Sequence, residues 1–222
     1  RGSAYAEWAM RDADCITSVG ARFDDRITGD LKRFAPAARA AERRGEGGII
    51  HFDIAPENIN KTVAVTIPVE GDARKNLELL EPMLKRADRQ EWFDQILAWK
   101  KEAPFRYKDD DREFHLKPQA VIEELSKQTQ GEAIITTGVG QHQMWAAQFY
   151  DYIHPRRWFT SGGLGTMGYG VPASVGGQLG EDLLSKREGR KPLPVINIDG
   201  DGSFSMTAME MTTAAQYNIK AK

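Results

Sequence analysis

In the run Ile196-Asn197-Ile198-Asp199-Gly200-Asp201-Gly202-Ser203-Phe204, two carboxylates are interleaved with glycines directly after an apolar stretch. Residues 194–198 read as a short strand, and a helical pattern follows from Met206 through Tyr217. A carboxylate between glycines, at a strand end and ahead of a helix, suits a metal ion bound to a phosphate. Mg²⁺ takes hard oxygen ligands, commonly one or two carboxylates together with substrate phosphates. Glycines let the backbone come close to a ligand. A helix N-terminus offers free N–H groups and partial positive charge to an anion. Asp-Gly is also ordinary turn chemistry, so the same residues equally fit a plain strand–turn–helix corner.

Two more glycine clusters lie upstream. Glu132 to Thr137 reads as a strand running into Gly138-Val139-Gly140, with a helix from Gln141 to Tyr150 behind it. Arg157 to Thr160 reads as a strand running into Ser161-Gly162-Gly163-Leu164-Gly165, followed by a small-residue helix from Gly168 to Leu179 and a charged loop over 181–192. A helix from Pro118 to Lys127, with proline near its start, precedes all three. Three strand–helix steps require a parallel sheet with right-handed crossovers, and such sheets bind ligands at strand carboxyl ends. All three clusters fall there and are placed to converge on one ligand; the alternative is that they only make tight turns.

The first part of the chain repeats the theme without the glycine clusters. A short helix over 3–12 leads to strands over Cys15–Val19, Gly48–Phe52 and Val63–Val69, the last an edge strand because of Pro68. Pro56-Glu57-Asn58 makes a short turn or helix, and Asp72 caps a helix running to about Lys85. Trp92, Phe93, Ile96 and Trp99 share one side of a further helix, and the stretch from Lys108 to Arg112 is a solvated linker. The expected fold is α/β, with doubly wound parallel sheets: residues 1–87 as one domain, 88–117 as linker and 118–222 as a second.

Composition narrows the function classes. The 222 residues carry a net charge of −2 with the signs well mixed, so there is no basic face for nucleic acid. No apolar run approaches a membrane span. The one cysteine, Cys15, excludes an internal disulfide and reads as a buried core thiol. Four scattered histidines without paired ligand spacing argue against a zinc site. The chain opens on Arg1-Gly2 without a targeting segment and stops at Lys222, where a strand is expected, so both ends read as cuts.

Gly138-Val-Gly-Gln-His-Gln-Met-Trp-Ala-Ala-Gln148, the run from Thr160 to Pro172 and Asp199-Gly-Asp-Gly-Ser203 resemble the catalytic subunits of acetohydroxyacid synthase (acetolactate synthase). So do Gly20-Ala-Arg-Phe-Asp-Asp-Arg26 and Pro56-Glu-Asn-Ile-Asn-Lys61. The wording Thr166-Met167-Gly168-Tyr169 and the run from Gly47 to Phe52 are similar to the fungal branch, which implies a mitochondrial protein. The match is collinear over nearly the whole chain. It implies the second half of a middle, FAD-contacting domain, a linker, and the first half of a thiamine-diphosphate-binding domain.

The resemblance implies an enzyme that decarboxylates pyruvate on thiamine diphosphate and joins the two-carbon unit to a second 2-keto acid. The products are 2-acetolactate or 2-aceto-2-hydroxybutyrate, precursors of valine, leucine and isoleucine. It implies Asp201 as the Mg²⁺ ligand, with Gly202 and Ser203 near the diphosphate. It assigns Val139, Gly140, Gln141 and His142 to the diphosphate, the Gly165 carbonyl to the aminopyrimidine, and Met167 to support of the bent cofactor. Otherwise His142 is an ordinary helix-start residue and Met167 plain core, as Met144 is expected to be. For FAD it implies Arg22, Asp53 and Asp72, the last equally a mere helix cap; Arg1, standing where the family has histidine, puts that end of the flavin site in doubt. Asp25 and Arg26 resemble positions of the substrate and herbicide channel, or make a surface ion pair. A homo-oligomer with a possible regulatory subunit is implied. The activating glutamate and an asparagine metal ligand have no counterpart here, which implies no catalytic residue in this chain and no activity for it in isolation. Two alternatives stay open: another thiamine-dependent carboligase, decarboxylase or oxidase, and a non-catalytic interaction module.

Overall fold

The computed structural model describes residues 2–108 and 115–222. The chain divides into two compact units, Arg1–Arg106 and Tyr107–Lys222. Arg1 and, apart from Lys108, the expected solvated stretch to Arg112 lie outside the described residues.

In the first unit Ser3 starts α1 (Ala4–Asp12) by accepting a hydrogen bond from the Ala6 amide. Strands β1 (Cys15–Val19), β2 (Gly48–Asp53) and β3 (Ile67–Glu70) pair in parallel, in that order. β2 is the middle strand and is covered on both faces, with Ile49, His51 and Phe52 all buried. A parallel pair needs a crossover. Between β1 and β2 the chain supplies α2 (Asp25–Thr28) and α3 (Pro36–Arg44), two helices that the sequence pattern does not announce. The apolar face of α3 is made of alanines, too weakly hydrophobic to mark a period; Ala38 and Ala41 are nonetheless fully buried against the sheet. Pro68 sits in the edge strand β3, where its missing N–H costs no ladder bond. Asp72 caps α4 (Ala73–Leu80) by accepting the Lys75 amide at 3.0 Å, and the α-helix ends before Pro82 rather than at Lys85. α5 (Gln90–Glu102) stands in this unit, its Trp99 ring 6.2 Å from Trp8 and 5.8 Å from Trp92. Cys15, expected in the core, is exposed, because β1 is an edge strand.

In the second unit α6 (Pro118–Thr129) leads into β4 (Ile134–Thr137), α7 (Gln141–Phe149) and β5 (Trp158–Thr160). Then come α8 (Gly170–Glu188) and β6 (Val195–Ile198). The strands are parallel in the order β5–β4–β6, so the first strand in sequence is central and the winding reverses across it. Ile122, Ala133, Ile135 and Tyr150 form the core, with Trp145 and Trp158 packed on it.

Two boundaries differ from expectation. α8 continues through the charged residues read as a loop, to Glu188, and closes on Gly189 in the left-handed region (φ 67). Its Glu181 is buried and hydrogen-bonded to the Arg190 guanidinium and, at 2.9 Å, to the Leu193 amide. Arg190 first, then the Leu193 amide, hold the Glu181 carboxyl below its ordinary range against the opposing effect of burial. After β6 the helix starts at once as α9 (Asp201–Thr207) and, after Ala208 and Met209, resumes as α10 (Glu210–Gln216). Beyond α10, the Lys222 amide donates to the Val195 carbonyl (2.9 Å) and the Lys222 carbonyl accepts the Asn197 amide (2.7 Å). Lys222 thus lies beside β6 in a parallel ladder pattern.

Candidate cofactor site

Thr137 pairs with Thr160 on one side and with Ile198 on the other. Gly138, Ser161 and Asp199 therefore leave the sheet level with one another at its carboxyl edge. A cavity of ≈ 620 Å³ opens at this edge, within the usual range for small-molecule sites. Val139, Gly140, Gln141, His142, Met167, Asp201, Gly202 and Ser203 all line it, and Ile122, Val121 and Trp145 form an apolar wall. Gly165 is close by: a Cβ built on it would lie 3.9 Å from Val139 Cγ1. Met144, expected in the core, is 54% exposed on α7.

Two helices begin at this cavity without a side-chain cap, α7 after Gly140 and α9 after Gly200. Their first amides have no intrahelical partner and are available to an anion. Asp201 opens α9 with an exposed carboxylate. Ser203 is 1% exposed, and its hydroxyl oxygen accepts the Gly168 amide at 2.9 Å, tying α9 to the start of α8. The Cε1–Nδ1 edge of the His142 ring lies close to two glycines: a Cβ on Gly140 would come within 2.9 Å of its Cε1, and one on Gly200 within 3.0 Å of its Nδ1. Its Nε2 is buried without a hydrogen-bond partner, 3.5 Å from Asp199 Oδ1.

Asp199 also lines this cavity, and the sequence by itself assigns it no role. Its side chain is 5% exposed. Oδ1 accepts the Gly200 amide at 3.1 Å and Oδ2 accepts the Asn197 side-chain amide at 3.3 Å. The carboxylate fills space left by two absent side chains: a Cβ on Gly170 would be 2.6 Å from Oδ2, and one on Gly138 would overlap Oδ1. The alternation of Asn197 and Asp199 with Ile196 and Ile198 along the strand was the available signal.

This donor set suits a diphosphate with Mg²⁺. It offers two uncapped helix starts, glycines that let backbone reach the ligand, an imidazole at the wall and one exposed carboxylate. Among the described residues no group of three or more His, Cys, Asp or Glu gathers into a cage. A Mg²⁺ ion that takes most of its oxygens from phosphate and water needs no such cage.

In the first unit the carboxyl ends of β1 and β2 adjoin. The Gly20 amide donates to the Phe52 carbonyl (2.8 Å), and His51 Nε2 lies 2.9 Å from the Ala21 carbonyl oxygen. Arg22 and Asp53 thus share one edge of the sheet. Asp53 is buried, and its Oδ1 accepts the Ala55 amide at 2.8 Å. That hydrogen bond, above all, holds its carboxyl below the ordinary range, with burial opposing it and Asn58 and His51 assisting. Arg22 is exposed and pairs with Asp24 (3.6 Å). Asp25 and Arg26 are exposed at the start of α2 and, among the described residues, make no ion pair with each other; Arg26 lines a separate cavity of ≈ 300 Å³ with Ser3 and Arg33.

Two sequence families match this chain. Residues 1–80 match the central domain of thiamine pyrophosphate enzymes, and residues 138–222 match their C-terminal TPP binding domain. The chain belongs to the thiamine pyrophosphate enzymes. Along its whole length it is 49% identical to the mitochondrial acetolactate synthase catalytic subunit of Saccharomyces cerevisiae, over 31% of that protein. It is 44% identical to the acetolactate synthase large subunit of Corynebacterium glutamicum, over 33% of it. It is 38% identical to the chloroplastic acetolactate synthase 1 of Zea mays, over 32% of it. The chain spans about a third of the length of these relatives.

Proposed function

We propose that this chain is the diphosphate- and metal-binding portion of an acetolactate synthase catalytic subunit. The observation that carries the reading is the gathering of the Gly138–His142 turn, Met167 and the Asp201–Ser203 turn around one cavity, in a chain 49% identical to such a subunit. When bound, thiamine diphosphate supplies the thiazolium that accepts the electron pair as pyruvate loses CO₂. The chain's own residues bind and orient. The α7 and α9 amides and His142 hold the diphosphate, and Asp201 holds Mg²⁺ against it. Met167 supports the rings, and the Gly165 carbonyl accepts from the aminopyrimidine. The apolar wall of Val121, Ile122 and Trp145 keeps water from the organic part. The full-length protein joins pyruvate to pyruvate or 2-ketobutyrate.

In the first unit, Arg22, Asp53 and Asp72 serve FAD, and Asp25 and Arg26 line the path of substrate. The common sheet edge of Arg22 and Asp53 supports this. Fungal relatives named mitochondrial support a mitochondrial location, and relatives named as catalytic or large subunits support a regulatory partner; a homo-oligomer belongs to the same reading. Among the described residues no helix is long and apolar enough to cross a membrane.

Full-length protein given pyruvate, thiamine diphosphate, Mg²⁺ and FAD should form 2-acetolactate. Acetaldehyde or acetate as the main product would assign it to another thiamine enzyme. Absence of turnover from folded, cofactor-loaded protein would assign it to the non-catalytic class.

A further inference from the structure

We propose that Asp199 is a positioning residue for the diphosphate: through Nε2 it orients His142, so that the opposite ring nitrogen faces the Gly140–Gly200 side of the cavity. This rests on the reading above and adds a residue to it. Neither the metal ligand nor the backbone cradle requires a second carboxylate, so one that is almost wholly buried beside them needs its own account.

A buried carboxylate is costly unless it is paired and hydrogen-bonded. Asp199 has two donors that cannot move away, the Gly200 amide and the Asn197 side chain. Asn197 is itself fixed in orientation, because its carbonyl oxygen accepts the Thr136 hydroxyl at 3.0 Å. Among the described residues its one ion-pairing neighbour is His142, with Nε2 3.5 Å from Oδ1. That nitrogen is buried and has no other partner. Asp199 Oδ1, which has room for a donor besides the Gly200 amide, is thus the acceptor beside the unpaired Nε2, and a contraction of a few tenths of an ångström brings the contact to hydrogen-bond length. Contacts of this kind are often long before a ligand arrives and tighten when it binds.

The rest of the ring's surroundings agree. Gly140 and Gly200 flank it so closely that a side chain on either would meet Cε1 or Nδ1. Both glycines line the cofactor cavity, so a ring anchored at Nε2 turns Nδ1 toward it. The hole that holds the carboxylate is likewise made by glycines, Gly138 and Gly170, from two other strand–helix corners. Partners that orient a metal-ligating histidine commonly matter 10- to 100-fold to metal affinity or activity, and the orienting role of Asp199 toward His142 is of the same kind.

The test is a double-mutant cycle on the full-length protein, read by calorimetric affinity for thiamine diphosphate with Mg²⁺. Asp199→Ala and His142→Ala should each weaken binding about tenfold. The double variant should be no weaker than either alone, because both remove one interaction. Asp199→Asn keeps an oxygen facing His142 and should recover part of the loss, even if the alanine variant folds poorly. In the protein without cofactor, ¹⁵N spectra of the His142 ring should report a hydrogen-bonded Nε2–H that is lost in Asp199→Ala and weakened but kept in Asp199→Asn. Additive losses, or an unchanged ring spectrum, overturn the role of Asp199 while leaving cofactor binding intact. Wild-type protein that binds no thiamine diphosphate overturns the parent reading, and the inference with it.

Discussion

Gly138→Ala places one methyl group in the hole that holds Asp199. The new Cβ would stand 1.9 Å from Asp199 Oδ1 and 2.1 Å from Ser203 Oγ, inside any contact distance. Gly138 is not among the positive-φ glycines, so backbone strain adds nothing and overlap alone sets the cost. Overpacking a close-packed interior costs about 1–3 kcal/mol. Moving the carboxylate also gives up its bond from the Gly200 amide, worth about 1.5–3 kcal/mol to a charged acceptor. The sum, about 2.5–6 kcal/mol, is a large share of a typical domain's stability. It should lower the unfolding temperature by about 10 °C or more. Urea and thermal unfolding followed by circular dichroism measure this, with Gly176→Ala on α8 as the control. A Cβ there meets nothing within 4 Å, and the same chemical change should be neutral or stabilise by up to about 1 kcal/mol. Gly138→Ala unfolding at the wild-type temperature would refute the tight fit of the Asp199 pocket.

Asp201→Ala should weaken Mg²⁺-dependent thiamine diphosphate binding by at least about tenfold with little change in melting temperature, because the carboxylate is exposed; equal calorimetric affinity would remove it from the metal site. The depressed Glu181 carboxyl adds stability above the ordinary glutamate value of about 4.3, lost as pH falls through its lower folded value. Wild type should therefore exceed Glu181→Gln in urea stability near neutral pH, with the gap closing in acid below that value; a gap independent of pH contradicts the Arg190 pairing. Asp53→Ala leaves the Ala55 amide without its acceptor and should cost about 1–3 kcal/mol in urea unfolding, whether or not flavin is bound. A loss under about 0.5 kcal/mol would show the turn does not depend on that carboxylate.

Strand positions were legible because the apolar runs are short, β-branched and bounded by glycine or proline, as at Cys15–Val19 and Val195–Ile198. The alanine helix α3 was not, since alanine has strong helix propensity but little hydrophobic contrast to mark a face. The charged end of α8 read as a loop for the opposite reason: its polar residues dominate the composition while Glu181 and Ser185 are buried by tertiary pairing. Cys15 and Met144 went the wrong way because residue type does not say which strand lies at an edge or which helix face is covered.

The residue types that can bind a diphosphate and Mg²⁺, their place after strands, and the parallel order they demand are all properties of the chain as written. They follow from local chemistry: glycine's missing Cβ, carboxylate hardness, the free amides of a helix start. That the Gly138 and Asp199 ends emerge level at one cavity depends on the register of β4 with β6. That Asp199 is buried, that its carboxylate fills the gaps beside Gly138 and Gly170, and that it faces His142 across 57 positions of sequence depend on packing. Such contacts join residues far apart in the chain, and no spacing or period along the chain encodes which of them will meet.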